Sequence, residues 1–311
     1  MRNMLLIVSA IFFIWIMFNQ IMIAYEHNKY PPIGQLVEVD GKKMHVYTKG
    51  EGENTIVLLS GAGTAAPALD YEPLMNVMAK NNRIVVVELF GYGWSDITNK
   101  ERTVENIVEE IRGALKKANI EGPYILMPHS VSGIYSMYYA NKYPDEIKAI
   151  IGIDCTLPQA VNYFNETAPT MPSYFSALVP TGIARLAVYL NPEDYLPNAE
   201  KGTFSEDHLK MTKSISAWNL GNKNIVAEVN EMNQNIAKTM DMSFPSEIPV
   251  LIFTVKDDKV TKDGKTMVSF YQTQISHLPT NKLVVLEGNH YLHWSRYKEI
   301  SEIVNEFIDT I

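Results

Sequence analysis

Pro123-Tyr124-Ile125-Leu126-Met127-Pro128-His129-Ser130-Val131-Ser132-Gly133 decides the fold. Ile125, Leu126 and Met127 are the continuous apolar run of a strand buried on both faces. Ile134, Tyr135, Met137 and Tyr138 then continue at helical spacing. The chain therefore leaves a strand at Ser130 and enters a helix at once. A serine on so sharp a turn has its hydroxyl pushed into the open. The positions two before and two after it must be small, or the turn clashes with itself; this is the physics of the G-x-S-x-G elbow. Here those positions are Pro128 and Ser132, with Gly133 just behind. Proline fixes its own φ and pushes Met127 into extended geometry, which suits a strand end. The competing use of Ser130 is a plain helix N-cap, where serine is favoured.

Working outward, Asp40-Gly41 separates two strand-forming runs, residues 35–39 and 43–48, and signals a hairpin. Residues 55–59 are a central strand that ends in the flexible loop Ser60-Gly61-Ala62-Gly63-Thr64. A short helix over residues 70–80 and a strand over 83–88 follow. Gly91-Tyr92-Gly93 comes next, but Asp96 leaves G-x-G-x-x-G incomplete, so no nucleotide site is indicated. Residues 103–118 form an amphipathic helix with Val104, Ile107, Val108, Ile111 and Leu115 on one stripe. Its charges Glu109, Glu110, Arg112 and Lys116 read as a solvated face. Residues 147–153 make another buried strand, ending at Asp154. Strand and helix thus alternate from 55 to 154, the pattern of a mostly parallel sheet with helices on both faces. Ser130 stands at a strand's carboxyl end, where such sheets place their sites.

The alternation stops between 156 and 246. That region is broken by Pro158, Pro169, Pro172, Pro180, Pro192 and Pro197, with helical patches near 182–190, 206–217 and 225–238. It resumes with a strand over 250–254, then Val255-Lys256-Asp257-Asp258, a helix over 261–274 and a last strand over 282–286. Glu287-Gly288-Asn289-His290 follows that strand, and a helix over about 294–308 comes last.

At the other end, residues 4–24 are 21 positions without a charge. About 20 apolar residues cross a hydrocarbon core. The run is longer than the apolar part of a cleaved signal, and Met22-Ile23-Ala24 is a poor cleavage site, so an uncleaved anchor over 1–25 is expected, with a linker over 26–34. Arg2 precedes the span, which by the positive-inside rule predicts a cytoplasmic N-terminus and an extracytoplasmic catalytic domain. Asn165-Glu166-Thr167 is a glycosylation sequon that matters only in a eukaryotic secretory cell. The chain of 311 residues carries a net charge of −8, which speaks against nucleic acid as a partner. Its one cysteine, Cys155, reads as a small buried apolar residue, and neither cysteine pairs nor histidine spacing indicates a metal.

The elbow, with His before the serine, resembles that of the α/β-hydrolase superfamily; Pro128 departs from it, since the family usually has Gly there. Residues 90–96 resemble the same family's glycine-rich turn, with Glu88 in the place of its Asp. The resemblance runs from Gln35 to Ile311. It implies a core of residues 35–155 and 247–311, and a helical cap over 156–246, some of whose aromatic and Met side chains line an apolar pocket. It also implies an oxyanion hole from the N–H groups of Ala62 and Val131, with Ser60 replacing the usual His. The family order is Ser, acid, His. A serine needs a base, and the base an orienting carboxylate. His290 is the expected base and His293 its rival, set at or inside the final helix. Asp258 is the expected acid; Asp154 is its rival, because some members carry the acid one strand earlier. His45 and His129 read as structural. The expected activity is hydrolysis of a small or medium apolar ester through an acyl-enzyme, without metal or organic cofactor. A proline-iminopeptidase-type aminopeptidase is the alternative and needs a cap carboxylate, with Glu166, Glu193, Asp194 and Glu231 as candidates. A non-catalytic ligand receptor is the third reading. Dehalogenase and epoxide hydrolase readings are disfavoured, because those relatives carry Asp at the elbow.

Overall fold

The computed structural model describes residues 1–256, 260–275 and 279–311. Helix α1 (Arg2–Lys29) comes first. A hairpin follows, β1 (Gln35–Val39) and β2 (Lys42–Lys49), joined by Asp40-Gly41, both at positive φ. Next are β3 (Thr55–Leu59), α2 (Pro67–Asp70), α3 (Glu72–Met78), β4 (Arg83–Val87) and α4 (Val104–Lys117). Then come β5 (Tyr124–Pro128), α5 (Ser132–Lys142) and β6 (Ile147–Ile153). An insertion carries α6 (Ala160–Phe164), α7 (Phe175–Leu178), α8 (Ile183–Leu190), α9 (Glu206–Asn219) and α10 (Lys223–Thr239). After it lie β7 (Val250–Val255), α11 (Met267–Gln274), β8 (Lys282–Leu286), α12 (Leu292–Ser295) and α13 (Tyr297–Ile308).

Among the described residues the strands form one eight-stranded sheet in the order β1-β2-β4-β3-β5-β6-β7-β8. The pairs β1–β2 and β2–β4 are antiparallel, and every pair from β4 to β8 is parallel. β3 and β5 are buried along their whole length, which is why they read as unbroken apolar runs. Alternate side chains feed two cores. Val57 and Leu59 join Ile107 of α4 and Ile134 of α5, while Ile56 and Leu58 join Leu74 of α3 and Val304 of α13. The order puts β5 beside β3 and sends β4 to the other side, so a crevice opens at the carboxyl ends of β3 and β5.

Four expectations differ from the structure. The helix expected over 70–80 is two helices, because Pro73 lacks an N–H and is accommodated in a first turn, so α3 starts anew at Glu72. The helix expected from 261 begins at Met267, where Thr266 and Ser269 form a capping box, and Gly264 closes a turn before it. Glu110 is not solvated: it is fully buried and takes two hydrogen bonds from Arg102 Nη1, at 3.0 and 2.8 Å. A carboxylate removed from water requires such a partner. Finally, α1 runs on to Lys29, and Glu26, expected in a linker, is buried.

Candidate active site

The elbow is held by three strands. His129 N–H donates to Leu59 O at 2.9 Å, Ser130 N–H to Ile153 O at 3.4 Å, and Thr156 N–H to Ser130 O at 2.7 Å. Ser130 itself takes φ +53, a conformation that costs a non-glycine residue energy and persists where its surroundings impose it. Ser132 Oγ donates to Ser60 O at 2.5 Å and so ties the elbow to the loop after β3. The tightest point lies one residue further on. A Cβ on Gly133 would stand 2.4 Å from Thr156 O, so any larger residue here would force the backbone to shift.

His290 follows β8 and reaches back across the sheet edge. Its Nδ1 lies 2.6 Å from Asp154 Oδ2, at the end of β6. The other oxygen, Asp154 Oδ1, accepts from Thr254 Oγ1 at 3.0 Å, and Asp154 N–H donates to Phe253 O at 2.7 Å. Asp154, like Ser130, has a positive φ, 42°. Among the described residues the carboxylate that meets His290 is Asp154, the rival reading; Asp258, the expected acid, and Asp257 lie outside them. The carboxylate places the His290 proton on Nδ1 and leaves the Nε2 lone pair free to act as a base. Among the described residues Ser130 Oγ makes no hydrogen bond to His290, and in free enzymes such bonds commonly tighten only with substrate bound.

His129 supports the His290 loop. Its Nε2–H donates to the His290 carbonyl at 3.0 Å, and the two ring centroids are 4.5 Å apart. Burial, with His293 and His290 nearby, pushes its pKa well below the ordinary histidine value, so it is a neutral strut. His293, the rival base, is buried too. Its Nε2 lies 2.8 Å from Asp70 Oδ2, and Trp294 Nε1 donates to Asp70 Oδ1 at 3.1 Å. This pins α12 to α2 beneath the His290 loop.

The loop after β3 presents Ala62 and Gly63 to solvent. Among the described residues neither Ala62 N–H nor Val131 N–H donates to another group. Gly63 N–H donates to Tyr92 Oη at 3.1 Å. Tyr92 and Tyr135 in turn each donate to Glu228 of α10 at 2.8 Å. Burial raises the Glu228 pKa, against the opposing pull of Arg102 and the two tyrosines. An insertion helix thus braces this loop, a link with no local motif in the sequence. Glu88 is structural: it accepts from the N–H groups of Trp94 and Ala68 at 2.8 and 3.0 Å and meets His45 Nδ1 at 3.0 Å.

A cleft of about 320 Å³ opens over this loop. Its walls are residues 62–66, residues 193–198 of the insertion, and Asn289, Tyr291 and Trp294. Tyr291 stacks on Trp294 with centroids 3.9 Å apart. Of the four candidate amine-binding carboxylates, Glu193 and Asp194 line the cleft. Cys155 is fully buried, and burial beside Asp154 pushes its thiol to about 12, far from a reactive thiolate. Among the described residues no group of three or more His, Cys, Asp or Glu is placed to hold a metal ion.

Comparison with known proteins gives a consistent result. Residues 54–297 match the family described as the alpha/beta hydrolase fold. An uncharacterized Bacillus subtilis protein, YbdG, is 35% identical over 281 residues, covering 88% of this chain and 85% of that protein. A proline iminopeptidase of Saccharolobus solfataricus is 23% identical over 282 residues, covering 85% of this chain and 87% of that one. In structure, the epoxide hydrolase VrEH1 of Vigna radiata superposes with a TM-score of 0.65 at 19% identity, covering 89% of this chain and 98% of its own.

Proposed function

The chain belongs to the α/β-hydrolase family, and on that premise we propose that it is a serine hydrolase cleaving a carboxylic ester through Ser130, His290 and Asp154. The observation that carries the reading is the 2.6 Å contact of His290 Nδ1 with Asp154, beside a serine held at φ +53. His290 Nε2 takes the proton of Ser130 Oγ as that oxygen attacks the ester carbonyl. Asp154 fixes the tautomer and stabilises the imidazolium. The oxyanion is met by the N–H groups of Ala62 and Val131, each worth about 10²–10³ in rate by analogy with other such donors. His290 then protonates the departing alkoxide, and water, activated by the same base, clears the acyl-enzyme. An epoxide hydrolase chemistry finds no support at the elbow, which holds Ser130 rather than the Asp of those relatives.

A second reading, aminopeptidase, is favoured by Glu193 and Asp194 in the cleft, where either carboxylate could hold a free amine. A panel of p-nitrophenyl esters set against amino-acyl anilides separates the two. Ester turnover lost in Ser130→Ala supports the first. Anilide turnover lost in Glu193→Gln or Asp194→Asn supports the second. No turnover of either class by folded protein favours a receptor.

Helix α1, long and apolar enough to cross a membrane, is read as a retained membrane anchor with its N-terminus cytoplasmic and the hydrolase domain outside. Protease accessibility in intact cells tests it; a domain protected until lysis contradicts the orientation.

A further inference from the structure

The first helix is built into the fold. Residues 1–14 are exposed all round, but from Trp15 onward one stripe is covered: Trp15, Asn19, Met22, Ile23 and Glu26, three or four apart. The partner is the insertion. Arg185 of α8 donates from Nη1 and Nη2 to the two Glu26 oxygens at 2.7 Å each, and from Nε to Asn19 Oδ1 at 2.8 Å. Trp218 Nε1 donates to Glu26 Oε2 at 2.8 Å, and Gln20 Nε2 to Pro180 O at 3.0 Å. Gly182, at φ +80, leaves room for the α1 side chains: a Cβ there would lie 2.8 Å from Trp15 Nε1.

This contact sets a length problem. The 13 free residues of α1, 2–14, rise about 20 Å, whereas a hydrocarbon core is about 30 Å thick. The uncharged run continues to Ala24, well inside the contact with the insertion. A bilayer that takes in the whole run must also take in whatever lies against its second half. The surface there suits lipid. Ile183, Leu186 and Leu190 of α8 are exposed, Leu190 by 75%, and so are Tyr174 and Phe175 by α7. The buried charges Glu26 and Arg185 neutralise each other between the helices, as charges at membrane depth must.

We infer that the insertion is a bilayer-docking surface: the exposed apolar side of α8 sinks into the acyl region of one leaflet beside α1. This rests on reading α1 as a membrane segment. Residues 193–198, which line the cleft, follow α8 after two residues, so the cleft wall stands beside the lipid and an ester dissolved in the leaflet is the substrate that fits.

The test uses the full chain in phosphatidylcholine vesicles, with a polarity-sensitive fluorophore on single variants Leu190→Cys, Leu186→Cys, Ile11→Cys and Glu121→Cys, and spin-labelled lipids as quenchers. Cys155 is buried and stays unlabelled in the folded chain. Glu121 is exposed at the opposite end of β5 and reports water. Severalfold quenching at Leu190, Leu186 and Ile11, with none at Glu121, is expected. Quenching at Ile11 with none at both α8 positions overturns the docking surface and leaves the anchor standing. No quenching at Ile11 overturns the membrane reading and the docking surface with it. Equal quenching at Glu121 and Leu190 also overturns the docking surface.

Discussion

Two aspartates, Asp154 and Asp258, are candidates for the acid, and a contact is described for the first. Asp154 closes β6 and lies 2.6 Å from His290 Nδ1. Asp154→Asn should lower kcat/KM by about 10⁴, the loss seen when a triad carboxylate is replaced by its amide, while Asp258→Asn should leave it within a few-fold. A comparable loss in Asp258→Asn would move the acid to the later strand. Ser130 and His290 were singled out because each follows a strand in a short motif, and the contact of His290 with Asp154 supports that reading. The acid stayed open between Asp154, directly after β6, and Asp258, outside the described residues, because nothing local in the sequence says which loop bends toward the histidine. His129 gives a second prediction. Burial holds its folded pKa well below 6.5, whereas the unfolded chain has the ordinary value. The unfolded state therefore binds the extra proton below about pH 6.5, and this contribution to stability, full above that value, is lost as pH falls toward the folded pKa. The thermal midpoint should drop from about pH 7 to about pH 5, and less steeply in His129→Gln. An equal slope in the two proteins would remove His129 as the titrating group.

Among elements, strands were read best. A strand buried on both faces carries its signal in every residue, as β3 and β5 do. Helix ends were read less well, because proline and capping residues shift them through local hydrogen bonding, as at Pro73 and Thr266. The buried Arg102–Glu110 pair was missed for a different reason: a helix face facing another element looks charged in sequence whether water or a guanidinium lies opposite. The elbow–helix junction makes a sharp prediction. Gly133→Ala puts a methyl 2.4 Å from Thr156 O, so the backbone must shift. Overpacking of this kind costs about 1–3 kcal/mol. Denaturant titration should show that loss together with a fall in activity, because the same turn carries Ser130; an unchanged midpoint would mean the junction is looser than the geometry says.

At the level of the whole molecule, the N-terminal helix and the insertion are joined by a buried ion pair. Residue 26 was read as linker because a lone glutamate after an apolar run marks the end of a span; its partner, Arg185, lies 159 positions away and is invisible to any local pattern. Glu26→Ala leaves the guanidinium buried and unpaired, which costs about 3–5 kcal/mol. Hydrogen exchange over α8 should rise sharply, and Glu26→Leu combined with Arg185→Met should restore most of the protection. Fast exchange in the double variant equal to that of Glu26→Ala would show that packing, and not the pair, is what the mutation disturbs.

The catalytic reading can be tested without knowing the substrate. A fluorophosphonate reacts with a serine activated by a histidine, and mass spectrometry locates the adduct. One adduct, on the peptide bearing Ser130, absent in Ser130→Ala and much slowed in Asp154→Asn, is the predicted result. Folded protein that takes up no adduct, or takes it up elsewhere, would contradict the account at its centre.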